Sequence, residues 1–329
     1  MRSRLILGFV FAVLTGVFLG CNPDLSSNQP PQPPKRDFLI IGHRGAPNQA
    51  CENTLQSLAE AVRLGANALE FDVSLTQDGH LVLWHDAVPS IKNGLRPTGV
   101  CTLRNPLLPQ PVHTVPLAEF LYNYGYEHKE QRVPITTLKD VAKRFGKDSH
   151  VRFLFLDLKL PADQPERVSL LFEGAVETLR RHGALSKAVL MTPHPSIFYP
   201  LHDEAQHWYK TTGKRVDVVF DMEGPQVGDL NKWPSAVLRN QVADGRFALW
   251  GEPVVSVQSS WDFIRAEIQR RDTINATRPP QAQLRFIIWT LNDKNKLCDM
   301  VGLGVDGIMT DEPDLLRSIV QRWGRPDTC

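Results

Sequence analysis

The sequence predicts an α/β fold, a TIM (β/α)₈ barrel with an inserted cap after the second strand. Short apolar runs alternate with helical patterns along the chain, which is typical of βα units and a parallel sheet. About eight such runs occur over roughly 290 residues, and a barrel of this kind typically needs about 250 residues plus insertions. A doubly wound sheet is the alternative that the same alternation allows.

The predicted strands are short apolar segments, and each is followed by a turn or a helical pattern. Their ranges are 38–42, 68–73 with a companion at 80–84, 151–158, 188–191, 216–220, 254–257, 284–290 and 307–310. Helical periodicity fits between them, for example at 55–64, 137–145, 165–182 and 261–271.

One segment, residues 87–133, interrupts this alternation. It is rich in Pro, Gly, Asn and Tyr, has little periodicity and contains Cys101. Connections of this length in a compact domain are usually functional lids or small subdomains. We therefore predict a cap beside the active site, and the name "cap" refers to residues 87–133 below.

Composition and charge exclude several classes of protein. Of the 329 residues, 42% are hydrophobic and 22% are charged, which excludes disordered chains, collagen and coiled coils. The net charge is only +1, with 37 basic and 36 acidic residues. Nucleic-acid binders carry a basic field that this chain lacks, so we expect no nucleic-acid partner.

The N-terminus predicts export. Arg2 and Arg4 precede an apolar run that ends at Gly20, which is the pattern of a secretory signal peptide and is short for a transmembrane helix. The ending before Cys21 resembles a bacterial lipobox, so we expect residues 1–20 to be removed and Cys21 to carry a lipid. The alternative is a Cys that follows a simple signal sequence by chance.

After Cys21 the expected order is a Pro-rich tether, residues 21–36, and then the barrel domain, residues 37–329. The domain would be exported and lipid-anchored to the cell envelope. Four further cysteines, an even number in a compartment that permits disulfides, allow three pairings between which the sequence does not choose: Cys51, Cys101, Cys298 and Cys329.

Acidic residues on one strand face indicate a cation. Glu70 and Asp72 share one face of the second strand because alternate residues point to the same side. Like charges in a low-dielectric site cannot both ionise at low cost, and carboxylate oxygens prefer Mg²⁺ or Ca²⁺. The alternative is that each acid pairs with its own Arg or Lys.

The next strand repeats this arrangement with Asp157 and Lys159, for which a structural ion pair is the simpler interpretation. Between the second strand and its companion, an Asp-Gly pair at 78–79 predicts a tight hairpin. The hairpin would return the chain so that His85 faces His43, at the end of the first strand, across the cation.

Six short motifs together resemble the glycerophosphodiester phosphodiesterase family, in order from about Phe38 to Leu316. Each motif is weak alone, and the order makes the resemblance specific. The motifs are His43-Arg44-Gly45, Glu52-Asn53-Thr54, Glu70-x-Asp72, His85-Asp86, Trp289-Thr290-Leu291-Asn292 and the run Gly304 to Pro313.

This resemblance implies a TIM barrel, a divalent cation (Ca²⁺ or Mg²⁺) and hydrolysis of glycerophosphodiesters to an alcohol and sn-glycerol 3-phosphate. Carried over by position, His43 and His85 become the acid/base pair and Arg44 a phosphate contact. The implied cation ligands are Glu70, Asp72 and Asp157. Asp157 is a departure, because the family commonly has Glu there, two residues before Lys, and Asp reaches about one carbon less far.

Other residues in these motifs have supporting roles or two interpretations. Arg44 and Lys159 would stabilise the charge that grows on the phosphate oxygens in the transition state. Glu52 is interpreted as a buried partner of Arg44, and Asn53 as a helix cap or a substrate contact. Trp289 is either a wall of the glycerol pocket or part of the barrel filling.

In a barrel, the loops that contain Cys51 and Cys101 both emerge at the catalytic face. We therefore expect a Cys51–Cys101 disulfide that holds the cap at the rim of the pocket. A second bond, between Cys298 and Cys329, would tie the C-terminal tail to a late helix.

Two alternative functions remain open. One is cleavage of a lipid headgroup by a lysophospholipase D or sphingomyelinase D-like activity, which the Leu-Asp-Leu-Lys sequence ending at Lys159 also resembles. The other is a surface lipoprotein that uses an inactive barrel as a binding scaffold. The expected partners are a small-molecule substrate and, through the lipid anchor, a membrane, and no obligate protein partner is evident.

Overall fold

The computed structural model of the protein describes residues 37–86, 95–104, 110–222, 246–251, 257–325 and 328–329. The predicted signal peptide, Cys21, the tether and parts of the cap lie outside the described residues. Within these ranges, none of the helices combines the length and the apolar character that crossing a bilayer requires.

Eight parallel strands form a closed barrel, as predicted. The first strand, β1, pairs with the second, β2, and with the last, so the sheet closes on itself. Numbered with the other strands in chain order, the barrel strands are β1 (Leu39–Gly42), β2 (Ala68–Leu75), β8 (Phe153–Leu158), β9 (Ala188–Thr192), β10 (Asp217–Met222), β11 (Phe247–Gly251), β12 (Arg285–Trp289) and β13 (Gly307–Thr310).

One predicted strand was wrong. Residues 254–256 lie outside the described residues, and Val257 is the first residue of a helix. The strand at this point of the barrel is β11, which pairs with β10 and β12. It is buried along its whole length, so it is a continuous apolar run without the alternation that marks a half-buried strand.

Helices surround the barrel and lie where helical periodicity predicted them, with others between. They are α1 (Leu55–Leu64), α2 (Leu117–Asn123), α3 (Leu138–Phe145), α4 (Val168–Arg181), α5 (Pro195–Thr212), α6 (Val257–Asn275), α7 (Lys294–Leu303) and α8 (Pro313–Gln321). Helix α1 begins after Thr54, whose hydroxyl accepts from the Ser57 amide, and ends at Gly65 with φ 109°. Both helix ends therefore have a capping residue, which forms hydrogen bonds with backbone N–H or C=O groups that have no partner within the helix.

Two apolar layers stabilise this arrangement. The inner layer fills the barrel, and it includes Leu39, Phe155 and Met309 from three different strands. The outer layer packs the helices on the strands and includes Leu58 of α1 and Phe172 of α4. Because the interior is a packed core, polar side chains collect only at the ends of the strands.

The predicted hairpin follows β2. The short strand β3 (Leu81–Leu83) runs antiparallel to β2, and the turn between them has Gly79 at φ 82°. The Thr76 amide donates to the His80 carbonyl at 2.9 Å, which closes the turn. The chain therefore returns along β2 toward the site.

The described parts of the cap contain helix α2 and a four-stranded antiparallel sheet. The sheet strands are β4 (Leu95–Thr98), β5 (Cys101–Arg104), β6 (Gly125–His128) and β7 (Gln131–Val133). Aromatic residues of the cap pack around Trp84, which follows β3, so the cap shares an apolar core with the hairpin.

Two disulfides tie loops to this framework. Cys51 and Cys101 are bonded, with Cα atoms 5.2 Å apart, and join the segment before α1 to cap strand β5. Cys298 of α7 and Cys329 are bonded, with Cα atoms 6.0 Å apart. These are the two pairings that the sequence analysis expected.

We predict that each disulfide contributes about 4 kcal/mol to the free energy of unfolding, because each closes a long loop and restricts the unfolded chain. The sequence separations are 50 and 31 residues. Urea unfolding of the Cys51→Ser/Cys101→Ser and Cys298→Ser/Cys329→Ser variants measures both losses. The two losses should be similar, and losses below about 1 kcal/mol in both variants would contradict the loop-closure argument.

Candidate active site

The predicted site residues meet at the C-terminal ends of three adjacent barrel strands. His43 and Arg44 follow β1, Glu70 and Asp72 lie on β2, and Asp157 lies on β8. Asp72 and Asp157 are paired directly across the two strands in the β-sheet register. The alternation on each strand and this register together explain why the acids converge.

The three acids form one buried cluster. Each of Glu70, Asp72 and Asp157 offers a carboxylate oxygen within 4.8 Å of the others. Their residues are 2%, 1% and 8% exposed. Burial raises the pKa of Glu70 well above its ordinary value, and the neighbouring carboxylates of Asp72 and Asp157 raise it further. Without a compensating cation, this site therefore favours a proton on Glu70.

Arg44 contacts three carboxylates from one position. Its backbone N–H donates to Glu70 Oε2 at 2.8 Å. Its guanidinium lies 3.1 Å from Glu52 Oε2 and 3.1 Å from Asp72 Oδ2. Burial lowers the pKa of Arg44, but the carboxylates led by Asp72 raise it by more, so Arg44 stays charged. Its φ of 52° is unusual for a residue with a side chain and permits these contacts.

Lys159 supplies the second cation. Its ammonium lies 2.5 Å from Asp157 Oδ2 and 3.2 Å from Asp72 Oδ1. Burial raises the pKa of Asp72, but Arg44 and then Lys159 lower it by more, so Asp72 is held ionised well below its ordinary value. Asp157 Oδ1 is buried and has no hydrogen-bond partner among the described residues.

Asn53 fixes the position of Asp72. Its amide nitrogen donates to Asp72 Oδ2 at 2.7 Å, and its amide oxygen accepts from the Asp72 backbone N–H at 3.0 Å. Asn53 is fully buried with φ 57°. The helix cap of α1 is Thr54, so the structure assigns capping to Thr54 and gives Asn53 a contact with the acidic cluster.

His43 is held between the cluster and the end of the last strand. Its Nδ1 is 2.8 Å from Asp311 Oδ1, and its Nε2 is 4.0 Å from Glu70 Oε2. Asp311 in turn accepts from the Asn292 amide at 2.7 Å. Burial raises the pKa of Asp311, but its hydrogen bond with His43 contributes to a net lowering, so Asp311 accepts the Nδ1 proton.

His85 has a similar arrangement at the end of the hairpin. Its Nδ1 is 2.7 Å from Asp86 Oδ1. Two hydrogen bonds to the backbone of Trp84 fix the position of the residue before His85. The Trp84 N–H donates to the Asp72 carbonyl at 3.2 Å, and the Trp84 carbonyl accepts from the Ser74 hydroxyl at 2.9 Å. The electrostatic interaction between His85 and Asp72 contributes to the lowered pKa of Asp72.

Trp289 ends β12 and packs against the apolar filling of the barrel while staying partly exposed. Its packing matches the barrel-filling interpretation, and its role as a wall of the glycerol pocket stays a prediction. Asp86 and Asp311, which orient the two histidines, had no assigned role in the sequence analysis. Their positions in the sequence could have indicated this role, because Asp86 directly follows His85 and Asp311 directly follows the last barrel strand.

The charges of the site do not balance. Four buried carboxylates face two cationic side chains, which leaves an excess of two negative charges when all are ionised. The set comprises Glu52, Glu70, Asp72, Asp157, Arg44 and Lys159. The donors are hard oxygens, and one of them, on Asp157, is buried without a hydrogen-bond partner in the described part of the chain, so the chemistry of the set fits a Ca²⁺- or Mg²⁺-like divalent cation.

Known proteins resemble this chain over most of its length. Residues 43–315 match the glycerophosphoryl diester phosphodiesterase family. A glycerophosphodiester phosphodiesterase of Caldanaerobacter subterraneus subsp. tengcongensis is 50% identical over 288 residues, which cover 87% of this chain and 99% of that relative.

Solved structures share the fold at low identity. A glycerophosphodiester phosphodiesterase from Parabacteroides distasonis superposes with a TM-score of 0.60 at 19% identity, covering 88% of this chain and 99% of that one. An Oleispira antarctica phosphodiesterase in complex with the product sn-glycerol-3-phosphate has a TM-score of 0.54 at 19% identity, with 84% and 94% covered.

We predict that Asn53→Ala lowers the free energy of unfolding by about 2–4 kcal/mol, because Asp72 loses a buried amide donor and its backbone N–H loses an acceptor. The matched variant Asn53→Gly removes the same hydrogen bonds but tolerates the positive φ, so it should be about 1 kcal/mol more stable than Asn53→Ala. Urea unfolding measures both. Wild-type stability in both variants would show that these hydrogen bonds contribute little.

Proposed function

The chain belongs to the glycerophosphoryl diester phosphodiesterase family, and from this premise and the site geometry we propose that it hydrolyses glycerophosphodiesters to an alcohol and sn-glycerol 3-phosphate with the help of a divalent cation. The single observation that carries the proposal is the buried cluster of Glu70, Asp72 and Asp157 beside two histidines that carboxylates orient. The product named in the Oleispira antarctica complex supports the proposed substrate class.

Glu70, Asp72 and Asp157 would hold the cation. When bound, a divalent cation supplies positive charge that favours the growing negative charge on a phosphodiester in its transition state. The excess of two negative charges in the ionised set of four carboxylates, Arg44 and Lys159 supports a divalent rather than a monovalent ion. Ca²⁺ and Mg²⁺ both match the oxygen donors, and the choice between them is a question for experiment.

Arg44 and Lys159 contribute the protein's own positive charge. Their side chains remain 19% and 18% exposed although their charged groups bind buried acids. Each can therefore reach a substrate phosphate from a fixed position. Because Asp72 holds both cations in place, little reorganisation is needed when charge develops on the phosphate oxygens.

His43 and His85 supply proton transfer. In each ring Nδ1 donates to an aspartate, which leaves Nε2 as the atom that exchanges protons. One histidine takes a proton from the nucleophile, and the other gives a proton to the leaving alkoxide. The Nε2 of His43 faces the acidic cluster, which supports a role beside the phosphate.

We also propose that the protein is exported and anchored in the cell envelope through a lipid on Cys21. The support is the lipobox-like sequence that ends at Cys21, together with two disulfides in the described domain, which are typical of exported proteins. Labelling of the expressed protein with a radioactive fatty acid tests this, and label that persists in Cys21→Ser would contradict it.

Assays of the purified protein with glycerophosphocholine, glycerophosphoglycerol and a lysophospholipid test the substrate class. We expect release of sn-glycerol 3-phosphate from the first two. Turnover of the lysophospholipid alone would favour the headgroup-cleaving alternative, and no turnover of any of them would favour the scaffold alternative.

Chelation should abolish turnover and lower the melting temperature, because three clustered carboxylates without a cation repel one another. Adding back Ca²⁺ or Mg²⁺ separately identifies the preferred ion. Asp157→Asn should weaken cation affinity, while Asp157→Glu should retain binding. Asp203→Asn, on the exposed face of α5, is the matched control. Full activity in excess EDTA would contradict the proposed cation.

His43→Ala and His85→Ala should each lower kcat by about 10²- to 10⁴-fold, the usual contribution of a positioned acid or base, while folding is retained. The double variant should be little worse than either single variant, because the two histidines act in one step. His207→Ala, on the exposed surface of α5, is the control. Near-normal turnover in either site variant would remove that histidine from the mechanism.

A further inference from the structure

A cavity of about 530 Å³ lies at the N-terminal ends of the barrel strands. Its walls come from the segments just before three successive strands, with Ser186 before β9, Lys214 before β10 and Arg246 before β11. The acidic cluster lies at the C-terminal ends of the strands. The cavity is therefore at the opposite end of the barrel from the proposed active site.

The side chains that line this cavity are strongly basic. Four of the described lining residues are cationic, namely Arg180, Lys214, Arg215 and Arg246, and none of the described lining residues is acidic. A pocket of this size is in the range of small-molecule sites. Its charge is opposite to that of the acidic cluster, so it would attract a different class of ligand.

A buried carboxylate fixes two of these arginines. The Asp217 side chain is only 1% exposed, and its Oδ1 accepts from Arg215 Nε at 2.9 Å. Arg246 binds the same carboxylate through Nε and Nη2. A single carboxylate therefore binds two guanidiniums. Asp217 is buried and is not one of the residues that line the cavity. It therefore holds the two guanidiniums in place without occupying the cavity itself.

A second carboxylate is shared in the same way at the rim. Glu177 accepts from Arg180 Nε at 2.7 Å and Nη2 at 3.0 Å, and from Arg181 Nε at 2.5 Å. With Lys214, these described groups comprise five cationic side chains and two carboxylates. Arg180 and Arg246 each bind a carboxylate through Nε and Nη2. Because a guanidinium has five N–H donors, each has further donors with which to bind an anion.

We propose that this cavity, called the basal cavity below, binds a phosphate-bearing anion. Guanidiniums recognise phosphate oxygens with paired hydrogen bonds, and pre-oriented arginines lose little freedom on binding. The cationic side chains come from the end of helix α4 (Arg180), from the segment before β10 (Lys214 and Arg215) and from the residue before β11 (Arg246), so the site depends on the barrel rather than on one loop. The proposal does not depend on the proposed reaction.

The phosphate group can come from two sources, namely a small phosphate compound in solution or a phospholipid headgroup at a membrane surface. The chemistry that the cavity recognises is the same in both. The test therefore uses inorganic phosphate for the first source and vesicles for the second. The vesicles contain phosphatidylcholine alone or phosphatidylcholine mixed with phosphatidylglycerol.

The experiment measures how fast an amine-reactive acetylating reagent modifies Lys214 in the full chain, read by mass spectrometry. We expect inorganic phosphate, at constant ionic strength set with chloride, to slow modification of Lys214. Lys210, an exposed lysine near the end of α5, is the internal control and should react at an unchanged rate. This readout is local, so phosphate binding at the active site does not affect it.

The variant Arg180→Gln should raise the phosphate concentration that half-protects Lys214 by about 10-fold, because one guanidinium contact is lost. The matched control is Arg181→Gln, since Arg181 shares Glu177 but does not line the cavity. If Arg180→Gln fails to fold, the comparison of Lys214 with Lys210 in the unaltered chain still decides.

Protection of Lys214 by phosphate supports a soluble ligand. Protection by the vesicles with phosphatidylglycerol, but not by phosphatidylcholine alone, supports a headgroup. Three results would overturn the basal cavity as a phosphate site: no protection by either probe, equal protection of Lys210, or equal weakening by Arg181→Gln and Arg180→Gln.

Discussion

The burial of three carboxylates side by side is the constraint on which the rest of the site depends. Glu70, Asp72 and Asp157 cannot all be ionised in a low-dielectric environment unless positive charge and donors surround them. Arg44, Lys159 and Asn53 all converge on Asp72 and lower its pKa. Arg44 and Asn53, which both contact Asp72, have left-handed backbone with φ of 52° and 57°.

The acids and their neighbours on the same strand were predictable because strand alternation is local. Residues two apart share a face, so Glu70 with Asp72 and Asp157 with Lys159 could be placed from the sequence. The hairpin after β2 was predictable because Asp-Gly dictates a tight turn. The alternation of strands and helices predicted a parallel α/β fold without knowledge of any contact, while the number of strands and the family resemblance favoured a barrel over a doubly wound sheet.

Other features depend on contacts between distant residues, which no local pattern contains. The partner of His43 is Asp311, 268 residues further along the chain. The strand β11 was misplaced because a fully buried strand lacks alternation, and the β-branched pair at 254–255 has high strand propensity. The small sheet of the cap could not be predicted either, since short polar strands have little periodicity.

The described part of the cap supports the site. Tyr126 of β6 is fully buried, and burial followed by the charges of Glu52 and Asp72 raises its pKa well above the ordinary value. The disulfide joins β5 to the residue before Glu52. The same core holds Trp84, which precedes His85. Both the Arg44 side and the His85 side of the cluster therefore pack against the cap.

Barrel closure has a consequence for the order in which the protein becomes competent. Strand β1, with His43 at its end, pairs with β13, and Asp311 directly follows β13. During synthesis, all three acids of the cluster have been made once β8 is complete, but the carboxylate partner of His43 is made only when nearly the entire polypeptide is available. The order of synthesis thus makes His43 the last part of the site to be completed.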